Sequence, residues 1–256
     1  MVAHRGANEE EPEHSLAAYL AAIEQGADAI ECDVRLTADG TLVCVHDRRI
    51  DRTSSGRGSV SRMTYDQLAQ HDYSHPRANW LDFEDPMPDE SRTSVLTLER
   101  LLTTLLDASS TVEFAIETKH PVRYGAYVEK ELADLLHRLE LDSSDGAPPR
   151  ARVMSFSRRA VIRARRLLPA LPAVYLMDPV PMWNRDGSLP PDVTIAGPSI
   201  KTLRSHPHYV ERVHERGGRV HVWTVDHTED VDLCVELGVD AIISNRPGKV
   251  LRQLGR

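Results

Sequence analysis

Residues 29–34 read Ala29-Ile30-Glu31-Cys32-Asp33-Val34, two carboxylates set alternately into an otherwise apolar run. A strand with a side-chain period of two sends Glu31 and Asp33 to one face and Ile30, Cys32 and Val34 to the other. The apolar set has to pack beneath covering helices, so both carboxylates point to the inside. The same alternation returns in Phe114-Ala115-Ile116-Glu117-Thr118-Lys119, where Glu117 and Lys119 face inward and Ile116 faces out. In Val43-Cys44-Val45-His46-Asp47, His46 shares the inner face with Cys44, and His4 and Arg5 end the first strand.

Outward from these segments, short β-branched runs alternate with amphipathic helical stretches, the pattern of a parallel sheet with helical crossovers. Candidate strands cover 1–4, 28–34, 41–46, 112–118, 151–156, 172–177, 193–196, 219–225 and 240–244. Helices are expected from about Leu16 to Gln25, with Ser15 as N-cap and Gly26 as stop, and over about 122–140, 158–168, 206–216 and 228–237. The 256 residues suit one (β/α)8 TIM barrel, typically ~250 residues, spanning 1–256 as a single domain. Nine strands are one too many for such a barrel, so one is misread or lies outside it, and 193–196 has the poorest strand pattern. The segment from Asp33 to His46 is too short for a crossover helix, and Ala38-Asp39-Gly40 reads as a turn. Either a hairpin centred near Asp39 sets Asp33 across from His46, or a loop returns the chain to the barrel floor. Residues 47–97 are polar and weakly periodic, an insertion after the third strand with a short helix around Thr64–Gln70.

Composition excludes several function classes. No run of ~18 apolar residues is present, so no segment is expected to span a bilayer. The first residues lack the basic and apolar regions of a secretory signal; a cytoplasmic protein is expected, or one whose leader has been removed. A net charge of −8 argues against a duplex nucleic-acid binder and against a polybasic membrane-surface protein. The arginines at 158, 159, 163, 165 and 166 have the spacing of a solvated helix face. Cys32, Cys44 and Cys234 show no CxxC spacing and read as reduced, buried thiols. Oligomeric state is not readable.

The inward polar side chains carry the chemistry. Glu31, Asp33, Glu117, His4, His46, Lys119 and Arg5 converge on the C-terminal mouth of the barrel. Burying such charges without partners is expensive, so an ion and an anionic ligand are the natural complements. Three carboxylates offer only hard oxygen ligands, which suits Mg²⁺ or Ca²⁺ rather than zinc. His4 and His46 titrate near neutrality and can serve as acid and base. Arg5 and Lys119 match a phosphate in charge and geometry. Each feature alone has a structural explanation, such as a salt-bridged strand end; their joint placement is much harder to reach by chance.

The series His4-Arg5-Gly6, Pro12-Glu13, Glu31-x-Asp33, Leu36-Thr37-x-Asp39-Gly40, His46-Asp47 and Glu117-x-Lys119 resembles the glycerophosphodiester phosphodiesterase signature. Ser155-Phe156, Val222-Trp223-Thr224-Val225 and Gly238-Val239-Asp240-Ala241-Ile242-Ile243 continue the likeness. The resemblance implies a (β/α) barrel that hydrolyses a small glycerophosphodiester to glycerol 3-phosphate and an alcohol. It implies His4 and His46 as the acid–base pair, with His4 read as base and the order of roles open. It implies one divalent cation, Mg²⁺ or Ca²⁺, on Glu31, Asp33 and Glu117, a phosphate held by Arg5 and Lys119, and Trp223 lining the alcohol or glycerol pocket. Departures are His14 where the family usually has Asn, Asp226 in place of a common Asn, and Ser244-Asn245 where Thr-Asp is frequent. The alternatives are a lipid-directed phospholipase C or D type of the same superfamily, a non-catalytic phosphoester-binding barrel, and a sugar-phosphate enzyme on an unrelated barrel.

Overall fold

The computed structural model describes residues 1–74, 89–142 and 149–256. Its strands are β1 (Val2–His4), β2 (Ala29–Leu36), β3 (Leu42–Cys44), β4 (Glu113–Thr118), β5 (Ala151–Ser155), β6 (Ala173–Met177), β7 (Ile195–Pro198), β8 (Arg219–Val222) and β9 (Ala241–Ser244). Eight of them run parallel in the order β1-β9-β8-β7-β6-β5-β4-β2, and pairing of β1 with β2 closes the barrel. The strand outside it is β3, antiparallel to β2 on one side and bridged through Val43 to Thr97 on the other. The strand expected over 193–196, the poorest by sequence, is a full barrel strand at 195–198, paired on both sides. Its Gly197 faces a crowded interior: a Cβ there would stand 2.6 Å from Leu176 Cδ2.

Of the two readings for 33–46, the structure takes the hairpin, shifted by one residue. Val34 pairs with Cys44 and Leu36 with Leu42, so the Val45 N–H donates to the Asp33 carbonyl (3.0 Å) and His46 lies one step beyond. The expected sharing of a face by Cys44 and His46 does not hold either. Strand β3 stops at Cys44, which packs into the core with Cys32 and Val34. His46 follows in a loop, its carbonyl held by Arg35 through Nε (2.9 Å) and Nη2 (2.6 Å).

The helix Leu16–Glu24 is capped by Ser15, and Tyr127–Arg138, Arg158–Leu167 and Thr228–Glu236 occupy stretches read as helical. The helix expected over 206–216 is the shorter Tyr209–His214, and Ile200–Ser205, a helix outside the expected ones, precedes it. Pro207 separates them, since a residue before proline is driven out of the helical region, and His206 has φ −140° and ψ 63°. The helices Leu98–Ala108 and Pro247–Gln253 are also outside those expected. The first buries Leu98, Leu101, Leu102 and Leu105, a spacing that signals one covered helix face. The arginine-rich helix is only partly a solvated face. Arg163 pairs with the buried Glu129 (2.9 Å) and Arg165 donates to the Asp192 carbonyl (2.8 Å), whereas Arg158, Arg159 and Arg166 are exposed.

Apolar side chains fill two regions. One lies between sheet and helices, around Ile30, Phe114, Leu101 and Leu136 on one side and Val161, Val210, Val220 and Val231 on the other. The second is the barrel interior, with Val2, Ala29, Ala115, Met154, Val174, Leu176, Ile195 and Ile243. The inward residues above that layer, toward the C-terminal ends of the strands, are the polar ones. Within 47–97, the residues 75–88 lie outside the described residues. The described part has a small core of its own, Ile50, Val60, Leu68, Tyr73 and Val95 against Val43 and Val45, and a four-residue helix, Tyr65–Leu68, closed by a Thr64/Gln67 capping box. All three cysteines are free and buried. Among the described residues no helix is long and apolar enough to cross a membrane.

Gly6 joins β1 to the first helix, with φ +83° and no room for a side chain: a Cβ would stand 2.6 Å from the Ala18 carbonyl carbon. Gly6→Ala is therefore expected to cost about 1–3 kcal/mol through backbone strain and displacement of that helix. Urea unfolding should show a lower midpoint at unchanged slope, and an unmoved midpoint would refute the packing argument.

Candidate active site

The mouth of the barrel gathers side chains from β1, β2, the loop after β3, β4 and the top of β8. His4, Arg5, Glu31, His46, Glu117, Lys119, Phe156 and Trp223 line one cavity of about 90 Å³. Asp33 lies just beside it, 1% exposed, with Lys119 Nζ at 3.2 Å from Oδ1 and Arg5 Nε at 3.0 Å from Oδ2. All eight side chains singled out from sequence are thus in one neighbourhood. Pairing of Asp33 with Glu117 across β2 and β4, and of His4 with Glu31 across β1 and β2, accounts for this directly.

Electrostatics mark the centre. Glu31, Asp33 and Glu117 are all buried, and each offers an oxygen within 4.8 Å of the others. Burial first, and then the neighbouring carboxylates, push Glu31 well above the usual range and Glu117 up to about 8. Asp33 goes the other way. Burial opposes its charge, but Lys119, the hydrogen bond from His14 and Arg5 outweigh that and hold it well below the ordinary value. The donor set is all hard oxygen, and Asp33 Oδ1 is buried with an ion pair to Lys119 but no aligned hydrogen bond. This arrangement fits a divalent metal. Burial and the Arg5 charge push His4 down to about 4, and burial lowers His46 as well.

Polar partners with no site role assigned from sequence tie these groups together. His14 stands at φ +61°, donates from Nε2 to Asp33 Oδ2 (3.0 Å) and has its Nδ1 2.8 Å from the Tyr19 hydroxyl. Glu13 bridges Arg5 (3.3 Å) and Arg52 (2.7 Å), and Arg52 Nε donates to Asp47 (2.6 Å). Asp47 in turn accepts from His46 Nδ1 (2.7 Å). The inserted segment therefore reaches the mouth through Arg52. Arg35 was legible in principle, since it continues the inner face of Glu31 and Asp33; no local pattern announces the contacts of Arg52. Trp223 donates its indole N–H to the Gly197 carbonyl (2.8 Å) and meets Phe156 edge to face, ring centres 5.2 Å apart, so one wall of the cavity is aromatic.

Residues 4–249 match the glycerophosphoryl diester phosphodiesterase family. The chain belongs to that family. It is accordingly a phosphoric diester hydrolase, and the barrel is the one its members share. A relative from Mycobacterium tuberculosis, named probable glycerophosphodiester phosphodiesterase 1, is 46% identical over 250 residues, covering 97% of this chain and 90% of its own. Glycerophosphodiester phosphodiesterase of Bacillus subtilis is 31% identical over 255 residues, 96% of this chain and 83% of its own. The crystal structure of a glycerophosphodiester phosphodiesterase from Parabacteroides distasonis superposes with a TM-score of 0.79 at 25% identity, covering 99% of this chain and 95% of that one.

The carboxylate shifts carry a pH signature in this family member. Without a metal, the folded chain holds protons on Glu117 and Glu31 that the unfolded chain releases above about 4.5, so stability falls as pH rises toward about 8. His4 and His46 act in the opposite sense, but only below their ordinary value of 6.5. In metal-free protein the melting temperature is therefore expected to drop between pH 6.5 and 8. Millimolar Mg²⁺ or Ca²⁺ should flatten that slope. A metal-free melting temperature that is level or rising across the window would contradict the assignment.

Proposed function

We propose that this chain hydrolyses water-soluble glycerophosphodiesters to glycerol 3-phosphate and an alcohol, with His4 and His46 as the acid–base pair. One divalent cation, Mg²⁺ or Ca²⁺, is held by Glu31, Asp33 and Glu117. The observation that carries the reading is the three buried carboxylates within 4.8 Å, set against the two histidines that line the adjoining cavity. The names of the Mycobacterium and Bacillus relatives support the substrate class.

A bound divalent cation supplies Lewis-acid stabilisation to the phosphoryl oxygens. The protein's own groups do the rest. Arg5 and Lys119 hold the anionic diester at the mouth, both already constrained by Asp33. One histidine removes a proton from the nucleophile, water or a neighbouring substrate hydroxyl, while the other protonates the departing alkoxide. Trp223 and Phe156 give the carbon skeleton of the glycerol or alcohol an apolar wall.

A second reading, a lipid-directed enzyme of the same superfamily, has one observation in its favour. Phe156 at the cavity is 42% exposed, and Met182 and Trp183, in the segment after β6, are 78% and 72% exposed. The soluble-diester reading is preferred because the rest of the rim is charged: Arg5, Glu13, Asp47, Arg52 and Lys119.

An assay of glycerophosphocholine and glycerophosphoethanolamine against phospholipid vesicles, with Mg²⁺, Ca²⁺ or chelator, separates these readings. Soluble diesters should turn over faster, and chelation should abolish turnover; preferential cleavage of bilayer lipid would move the assignment to the second reading, and full activity in excess chelator would remove the metal.

An alkoxide leaves poorly, so His46→Ala and His4→Ala should each lose about 10²–10⁴ in kcat with metal affinity nearly intact. Wild-type rates in both variants would make the histidines structural.

A further inference from the structure

His4 is held from behind by a chain of three polar side chains whose hydrogen bonds have one consistent direction. Asn8 Nδ2 donates to the backbone carbonyl of His4 (2.7 Å), an oxygen that only accepts, and the same nitrogen donates to Asn245 Oδ1 (2.6 Å). From the other side, Asn245 Nδ2 donates to Asp226 Oδ2 (2.6 Å). Asp226 is itself anchored by the Asn245 backbone N–H (2.8 Å) and the Ser244 hydroxyl (3.0 Å), both donating to Oδ1. The Asn245 amide is therefore oriented twice over, with its oxygen toward His4. His4 Nδ1 lies 2.7 Å from that oxygen. An amide oxygen has lone pairs and no hydrogen, so the hydrogen of this contact sits on Nδ1.

We infer that Asn245 and Asp226 are positioning residues that lock His4 in the tautomer bearing its hydrogen on Nδ1, leaving Nε2 as a bare lone pair facing the reaction cavity. The inference rests on the two-histidine reading above and gives His4 its direction within it. In a neutral ring held this way Nε2 can accept a proton but has none to give. His4 therefore takes the proton of the nucleophile as its oxygen bonds to phosphorus and the P–O bond to the departing alkoxide breaks; His46, whose Nδ1–H donates to the Asp47 carboxylate, enters as the imidazolium and gives its Nε2 proton to that alkoxide. During that step the Nδ1 hydrogen stays on Asn245, because a neutral amide oxygen is too weak a base to take it. His4 Nε2 is 3.9 Å from Glu31 Oε2, so the lone pair opens beside the carboxylate cluster rather than into bulk water. Exchanging amide and carboxylate between the two positions would keep a donor facing an acceptor at every contact.

The test is long-range ¹H–¹⁵N correlation on ¹⁵N-labelled protein with Mg²⁺ near pH 8, in which a hydrogen-bearing and a bare ring nitrogen are distinguished directly. His4→Gln identifies the signal. The wild-type ring should show hydrogen on Nδ1. Asn245→Leu should lose that single pattern and drop kcat by about 10–100-fold with KM little changed, as for other partners that orient a catalytic group. The double substitution Asp226→Asn with Asn245→Asp should recover the tautomer and bring the rate to within about tenfold of wild type. Hydrogen on Nε2 in the wild type overturns the inference, even if no Asn245 variant folds. So does Asn245→Leu with tautomer and rate unchanged, or a double variant as slow as the single. Failure of the two-histidine reading looks different: His4→Gln would then turn over at the wild-type rate, whatever the ring nitrogens show.

Discussion

Three carboxylates share a site from which water is largely excluded. Glu31, Asp33 and Glu117 are each no more than 6% exposed, and like charges at such distances cannot all ionise without compensation. The surrounding arrangement answers that repulsion. Lys119 stands between Asp33 and Glu117, Arg5 and His14 close on the far oxygen of Asp33, and Glu31 receives the backbone N–H of Arg5 at 3.0 Å. Asp33 keeps its charge, and its two neighbours are driven toward the neutral form. A cation bound by all three would convert the repulsion into coordination.

A parallel barrel makes such a cluster possible. Adjacent strands in register bring inward residues of equal height side by side, so His4 meets Glu31, and Asp33 meets Glu117, at the end where the strands give way to loops. Beneath them the interior is filled by small and branched apolar side chains, which keep the charges at the mouth. The loop that follows β3, the strand added outside the barrel, is held by Arg35 through the His46 carbonyl, which sets His46 over the same cavity. Its pairing with β2 is short, and the backbone continues into the inserted segment rather than into a crossover helix.

That segment is joined to the site by a path of charges. His46 donates to Asp47, Asp47 accepts from Arg52, Arg52 pairs with Glu13, and Glu13 pairs with Arg5 beside Asp33. Arg52 and Asp47 are partly exposed, so each such pair is worth little by itself. Their joint effect is geometric: the loop carrying one histidine and the loop following the other are held to a common set of partners. His4 and His46 nonetheless have unlike supports, a neutral amide behind the first and a carboxylate behind the second.

Much of this was legible along the chain. The alternation in Glu31, Asp33 and Glu117 reports which face of a strand each residue occupies, because a period of two is a property of the extended backbone itself. Inward facing follows from it, and the alternation of strands with helices supplies the barrel that brings the carboxylates together. The same period failed at Cys44 and His46, where the strand ends before the histidine, and the strand expected with the poorest pattern, over 193–196, is a true barrel strand at 195–198. Local pattern could not supply the hairpin register, the burial of His14 against Asp33, the reach of Arg52, or the hydrogen-bond direction through Asn8, Asn245 and Asp226. Each joins residues from different loops, whose distances are set only when the barrel closes and packing fixes which donor faces which acceptor.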